Sequence, residues 1–201
     1  MRHTTEQHWD VLPGAWWDED GARPRCSCGA HSCPAPGAHP TAPRWAHQVT
    51  ASAATARSLW SEHPRASLLL PTGGSFDAVE VSETAGCLAL ARAERLALPL
   101  GPVTLTPDRR MFFLVQPGAG SAMPGLLHGL GWRGAPARTL DLRVHGAGDY
   151  IVAPPTRLGG LGQVRWVRHP ARTGRRLPDA AEIAAPLAYA CGQEQAPDRR
   201  L

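Results

Sequence analysis

Residues 140–155 read LDLRVHGAGDYIVAPP, and this stretch is the most informative about the fold. A strand is predicted at Thr139–Val144, and a turn containing Gly146 and Gly148 follows it. A second strand is predicted at Tyr150–Ala153 and ends at a pair of prolines, which cannot donate hydrogen bonds to a neighbouring strand. The stretch therefore predicts two short strands joined by a glycine-bearing turn.

The sequence on both sides of this stretch predicts further short strands mixed with helices. Residues 76–82 alternate, with Val79 and Val81 on one face of a strand and Glu80 and Ser82 on the other. Other strands are predicted at Leu68–Leu70, Val103–Thr106, Arg110–Gln116 and Gln163–Arg168, and helices at residues 52–62, at Thr84–Leu98 and at Ala180–Ala190 with an interruption at Pro186. Because strands and helices do not alternate regularly, we expect an α+β fold with a mixed, largely antiparallel sheet and flanking helices.

Length and composition indicate one domain. The 201 residues suit a single domain at 1–192, which includes a Cys/His-rich insert at 20–48 and is followed by a loose tail at 193–201. All 21 basic residues are arginine, which indicates GC-rich coding bias of the actinobacterial type, so the net charge of +4 is mild support for a polyanionic partner. No apolar run is long enough to span a bilayer and residues 1–10 lack the apolar stretch of a signal peptide, so we expect a cytoplasmic protein without membrane contacts.

The insert contains a cluster of metal-type ligands. Cys26, Cys28, Cys33 and His39 have the spacing C-x-C-x4-C-x5-H. Zinc favours four thiolate or imidazole ligands in a tetrahedron, so this spacing predicts a small structural zinc knob. His31 is an alternative fourth ligand. The remaining histidines, including His145, are predicted to be surface or packing residues.

Four segments together resemble the bifunctional DNA primase/polymerase N-terminal (prim-pol) family of the archaeo-eukaryotic primase superfamily. They are residues 69–74 (LLPTGG), residues 78–82 (AVEVS), residues 109–113 (RRMFF) and the stretch at 140–155. The resemblance covers roughly residues 8–170. It implies a prim-pol-like core whose activity, where present, is metal-dependent nucleotidyl transfer.

The resemblance also implies a set of site residues, and this chain departs from it. Members of the family carry an Asp-x-Asp pair on one strand and a third acid on a later strand, and these acids hold Mg²⁺ or Mn²⁺. The matching residues here are Glu80, Ser82 and Asp141, so the second acid position is a serine. Glu83 is one residue further along and would reach this face only through a bulge. Arg110 is at the position of a histidine that meets the nucleotide's phosphates, or Met111 if the alignment shifts by one residue.

Three functions remain open from the sequence. The first is a catalytically impaired prim-pol-like protein that binds nucleotide or nucleic acid in a cleft bounded by Glu80, Arg110, Asp141 and Arg143, with Arg109 as a further phosphate-binding residue. The second is an active primase/polymerase in which Glu80, Asp141 and Glu83 recruit Mg²⁺ or Mn²⁺. The third is an interaction or regulatory module that binds a protein partner through a retained primase fold. Whether the chain is an enzyme is left open by its degenerate motif.

Overall fold

A computed structural model describes residues 9–20, 23–132, 140–173 and 176–195. These residues contain four α-helices and three short 3₁₀ helices. The α-helices are α1 (Ala53–Glu62), α2 (Glu83–Arg95), α3 (Ala119–Gly129) and α4 (Ala180–Gln195), and the 3₁₀ helices span Trp45–Gln48, Gly159–Leu161 and Pro170–Arg172. None of the helices in these ranges combines the length and apolar character required to cross a membrane.

Twelve strands complete the described residues and pair only in antiparallel fashion. They are β1 (Leu12–Gly14), β2 (Trp17–Asp18), β3 (Arg25–Cys26), β4 (Ser67–Pro71), β5 (Asp77–Ser82), β6 (Val103–Leu105), β7 (Arg110–Val115), β8 (Arg143–His145), β9 (Tyr150–Val152), β10 (Arg157–Leu158), β11 (Gly162–Gln163) and β12 (Arg165–Arg168). A five-stranded sheet has the order β12-β6-β7-β5-β8, and a three-stranded sheet has the order β1-β4-β9. Two small ribbons, β2-β3 and β10-β11, lie beside them. The predicted α+β fold with a largely antiparallel sheet is confirmed.

The five-stranded sheet separates two hydrophobic layers. Val79 and Val81 of β5 lie on the face that packs with α2, α3 and α4. Ala78 of β5 and Phe112 of β7 lie on the other face, where they pack with β4 and β9 of the three-stranded sheet. The far side of the three-stranded sheet packs against the segment around Ala38. Because side chains alternate along a strand, the apolar residues of β5 fix which face its polar residues share.

Helix α3 was not predicted, because its sequence is poor in helix formers. It contains Gly120, Gly125 and Pro124, which cost a helix stability through backbone entropy or a missing N–H group. Two sets of contacts compensate for this cost. Met123 and Leu127 are buried, and Asp77 of β5 accepts the N–H groups of Gly118 and Gly120 at the first turn. Tertiary packing and capping therefore override local propensity here.

Three boundaries differ from the predicted ones. Leu140 to Leu142 form a turn and β8 begins only at Arg143, while residue 139 lies outside the described residues. Helix α4 continues through Pro186, which is buried, instead of being interrupted there. The helix also continues to Gln195, so the loose tail does not begin at 193, and residues 196–201 lie outside the described residues. Packing of α4 against α2 and α3 accounts for its length.

Candidate functional site

Strand β5 presents its two polar residues, Glu80 and Ser82, to the face of the sheet that lies opposite the helices; this face is called the cleft face, and the group of Glu80, Arg110, Asp141 and Arg143 the cleft, after the predicted binding cleft. Val79 and Val81 are fully buried on the helical face, so Glu80 and Ser82 project to the opposite face, as the alternation predicted. Arg143 of β8 and Phe112 of β7 lie directly across from Glu80, and Arg110 of β7 lies across from Ser82. The sheet register therefore brings the predicted acid Glu80 and the predicted phosphate ligand Arg110 onto the same face.

Arg110 bonds both acids that remain at the predicted site. Its Nε donates to Glu80 Oε1 at 2.7 Å. Its two terminal nitrogens donate to Asp141, from Nη1 to Oδ2 at 2.7 Å and from Nη2 to Oδ1 at 3.1 Å. The contact with Asp141 is thus the two-pronged arrangement that a planar guanidinium forms best with a carboxylate. One arginine joins β5, β7 and the turn before β8.

Asp141 reaches Arg110 from a turn, although the sequence predicted it on a strand. The backbone of Asp141 has φ of 47°, in the left-handed region that aspartate tolerates better than most residues. Its neighbours Leu140 and Leu142 are buried in the helical layer, and its own side chain remains 55% exposed. Burial of the two leucines therefore directs the carboxylate between them out of the core and towards the cleft.

His145 is a member of the site that the sequence analysis missed. Its Nε2 lies 2.7 Å from Glu80 Oε2, and its Nδ1 lies 2.7 Å from Asp149 Oδ2. The ring is buried and contacts Phe112. Strand alternation could have indicated this position, because His145 is two residues from Arg143 and so shares its face, but a lone histidine gives no sign of its partners.

These contacts set the charge state of the buried acid. The Glu80 side chain is only 14% exposed. Burial raises the pKa of its carboxyl, but hydrogen bonds from His145 and Arg110 and their positive charge outweigh burial and hold that pKa below its usual range. The bond to Asp141, aided by Glu80, raises the pKa of the Arg110 guanidinium. Glu80 and Arg110 are therefore both charged at neutral pH.

Ser82 and Glu83 do not supply the second acid. Ser82 is the N-cap of α2, and its Oγ accepts the N–H of Ala85 at 3.1 Å. The same hydroxyl donates to Glu194 of α4. Glu83 bonds Arg109 at 3.1 Å, away from the Arg110 contacts. Ser82 therefore has no carboxylate to add to Glu80 and Asp141, and the carboxylate of Glu83 is bonded to Arg109 instead.

The remaining predicted arginines lie at the surface beside the cleft. Arg109 is in the turn between β6 and β7 with a positive φ of 65°, and its side chain is 74% exposed. The Arg143 side chain is 69% exposed, and its Nη2 lies 3.9 Å from Asp149. Both guanidinium groups are accessible to a solute, whereas the one on Arg110 is engaged by two carboxylates.

The Mg²⁺ or Mn²⁺ ions of the family do not fit this set of residues. A divalent ion of this kind requires several oxygen ligands, and carboxylates supply most of its protein ligands. Here Ser82 has no carboxylate, and Glu80 and Asp141 are already bonded to a cation. Among the residues that the structure describes, the cleft acids are not part of a converging group of three or more metal-type ligands.

The Cys/His cluster, in contrast, converges. One donor atom from each of Cys26, Cys28, Cys33 and His39 lies within 4.8 Å of all the others, so the cluster could hold a metal ion. Cys26 Sγ and His39 Nε2 are 3.4 Å apart, close to the separation of about 3.5 Å that two ligands of a tetrahedral zinc ion have. The alternative ligand His31 is not in this group.

Neighbouring groups orient these ligands. His39 Nδ1 lies 2.7 Å from the carbonyl of Pro40, and donation to that oxygen leaves Nε2 free to face the cysteines. The N–H of Gly37 donates to Cys26 Sγ at 3.3 Å. A hydrogen bond from the Ala30 backbone, with smaller contributions from the other members of the cluster, lowers the pKa of the Cys28 thiol to about 7. The donor set and its supports fit a four-coordinate ion.

The sequence matches one protein family model. No curated protein and no solved structure gives a significant match to the chain. A family model described as "Bifunctional DNA primase/polymerase, N-terminal" matches residues 1–182 of the 201. The match includes the acids of the cleft and the Cys/His cluster. The chain therefore belongs to the Prim-Pol family of bifunctional DNA primase/polymerase N-terminal domains.

Proposed function

We propose that this protein binds nucleotide or nucleic acid and is impaired in nucleotidyl transfer. The observation that carries the proposal is the position of Arg110, whose guanidinium bonds both Glu80 and Asp141. Two-metal transfer depends on cations that neutralise charge on the attacking and leaving oxygens. A guanidinium between the acids opposes the entry of a divalent ion by charge repulsion and by occupying their oxygens. The chemistry is therefore weakened at the step that needs the metal.

Binding is supported by the arginines that stay accessible. Arg109 and Arg143 are exposed beside the cleft, and the chain has a net charge of +4. Phosphate groups are recognised by such side chains, and their contributions add up along a polyanion. Arg110 must break a short ion pair before it can bind a phosphate, because both acids are bonded to it. Arg143 on the same face does not have this cost, since its distance to Asp149 is 3.9 Å.

We propose zinc as the ion of the Cys/His cluster, with a structural role. Three thiols and one imidazole are a set that zinc prefers over hard ions such as Mg²⁺. All four positions of the tetrahedron are taken by protein, which leaves no place for a substrate. The segment around the cluster is joined to the rest of the fold by backbone bonds such as that from Gly159 to Pro36 at 2.8 Å.

Two assays on the purified protein test this function. Primer extension with Mn²⁺ or Mg²⁺ is expected to give no product above the blank. Fluorescence anisotropy with a labelled single-stranded oligonucleotide, and calorimetry with a nucleoside triphosphate, are expected to show binding that weakens as salt is added.

A pair of variants identifies the binding face. Arg109→Ala together with Arg143→Ala is expected to weaken oligonucleotide binding several-fold and to lower the salt dependence by about two charges. The matched control is Arg95→Ala, an exposed arginine at the other end of α2, about 18 Å from its first turn. Extension that Glu80→Ala and Asp141→Ala abolish would show an active enzyme instead. A lack of binding to every nucleotide and oligonucleotide would favour the protein-interaction module.

A further inference from the structure

The last turn of α4 reaches the cleft. Ser82 Oγ donates to a carboxylate oxygen of Glu194. Cys191, one turn earlier on the helix, is buried, and burial raises the pKa of its thiol to about 12. The carboxylates of Glu194 and Asp141 add to this rise and Arg110 opposes it. Helix α4 therefore contributes an acid to the neighbourhood of Arg110.

Glu194 brings a carboxylate to Ser82, the residue that matches the second acid position of the family pattern. Ser82 is directly across the strand pair from Arg110. The hydroxyl of Ser82 carries no charge, but it holds the Glu194 carboxylate beside itself. A negative charge thus lies next to position 82, although it comes from a residue more than a hundred positions away in the chain.

We propose that Arg110 is a built-in replacement for the divalent cation of the family. Its guanidinium joins the carboxylates of Glu80 and Asp141, and Glu194, which is bonded to Ser82, adds a further negative charge beside the residue that faces Arg110 across the strand pair. The proposal deepens the proposed function and rests on it, because it gives the physical reason for the impaired transfer. Arg110 uses three of its five N–H groups on Glu80 and Asp141. Glu194 is a positioning residue that restores negative charge beside Ser82.

Charge balance supports this arrangement. The Glu80 and Asp141 carboxylates, held close together by one guanidinium, would repel each other without it, and the cation removes that cost. In an active family member a metal ion supplies the charge. In this chain the guanidinium supplies it without an ion from solution. The acids remain in the structure because Arg110 needs them, since a partly buried guanidinium without partners is costly.

The inference predicts that removing Arg110 creates affinity for a divalent ion. Arg110→Met keeps an unbranched side chain but has no charge, so the freed acids are expected to bind one Mn²⁺ ion per chain. The wild-type protein, with its zinc present, is expected to bind none at the same concentration. Titration calorimetry and the loss of the free Mn²⁺ electron paramagnetic resonance signal both measure this binding without any need for catalysis.

Glu194 is tested in the same background. Adding Glu194→Gln to Arg110→Met is expected to lower Mn²⁺ affinity on the order of 10-fold or more, as expected for a group that supports a metal site. The matched control is Glu182→Gln, at the opposite end of α4 and about 18 Å away along the helix axis. The control substitution is expected to leave Mn²⁺ affinity unchanged.

Each outcome decides the inference. Absence of Mn²⁺ binding in a folded Arg110→Met variant, or equal binding by the wild-type protein, overturns it. If Arg110→Met does not fold, Arg110→Gln is used, because glutamine is uncharged and still donates hydrogen bonds. A folded Arg110→Gln variant that binds no Mn²⁺ also overturns the inference. Failure of the proposed function would appear separately, as primer extension by the wild-type protein.

Discussion

The cleft and the Cys/His cluster both bring metal-type ligands together, but the groups that lie next to those ligands differ between the two regions. In the cluster, one donor atom from each of four residues lies within 4.8 Å of all the others. In the cleft, Glu80 and Asp141 are joined through the guanidinium of Arg110. The presence of ligating residue types therefore does not by itself define a metal site. What decides is whether their charge is already neutralised by the protein.

Removing a ligand from the cluster gives the largest expected effect. Cys26→Ser is expected to abolish stoichiometric metal binding and to lower the thermal midpoint by several degrees or more, because metal binding contributes directly to folding. Metal analysis and differential scanning calorimetry on protein prepared without chelator provide the measurement. Cys87→Ser, at an exposed cysteine outside the cluster, is the control and should change neither value.

A metal content well below one equivalent in the unaltered protein would remove the distinction between the two regions. The Cys/His cluster would then be an empty group of thiols, and the segment around it would be held by its backbone bonds alone. Chelation of the unaltered protein should also lower the thermal midpoint, as Cys26→Ser does.

Breaking the ion pair in the cleft is expected to have an intermediate effect. Glu80→Ala leaves Arg110 and His145 without their shared partner and is expected to destabilise the fold by about 2–4 kcal/mol. Urea unfolding measures this loss. Glu83→Ala is the matched control, because its bond to the exposed Arg109 is a surface contact with an expected cost of about 0–1 kcal/mol. Equal losses for both variants would show that the cleft pair is an ordinary surface ion pair.

The dependence of stability on pH gives a smaller and more specific effect. The folded state lowers the pKa of Glu80 below its usual value of about 4.3, so the folded protein releases this proton more readily than the unfolded chain. The resulting stabilisation is fully present above the usual pKa and is lost as pH falls through the lowered one. The stability difference between the wild-type protein and Glu80→Gln should therefore shrink as the solution is acidified from pH 6 towards acid.

Urea unfolding of both proteins at several pH values provides that measurement. Comparison with Glu80→Gln isolates the contribution of the Glu80 carboxylate together with that of the groups that contact it. A difference that stays constant or grows in acid contradicts an ionised Glu80 in the folded state.

The sequence was sufficient where local patterns control the structure. The alternation of Val79 and Val81 with Glu80 and Ser82 predicted the polar face of β5, because a strand has a fixed period. The spacing of Cys26, Cys28 and Cys33 predicted the cluster, because its ligands are close in the chain. Both predictions depend on fewer than 15 consecutive residues, since even the fourth ligand, His39, lies only thirteen positions after Cys26.

The sequence was insufficient where distant segments meet. His145 and Glu194 join the cleft through contacts with Glu80 and Ser82 that span 65 and 112 positions. Helix α3 depends on Asp77, which lies 41 positions before its capped residue Gly118. Asp141 is held in a turn by the burial of its neighbours, and its fragment alone favours a strand. These features depend on how the sheet and the helices pack together. A short stretch of sequence carries no information about that packing.

The double role of Ser82 limits which residues fit this position. Serine and aspartate are nearly equivalent as N-caps of α2, because each offers one oxygen to the free backbone N–H groups at the start of the helix. The serine hydroxyl also has a hydrogen to donate to the Glu194 carboxylate, whereas an aspartate would place two like charges side by side. The contact between the start of α2 and the last turn of α4 therefore favours serine facing an acid and disfavours two acids.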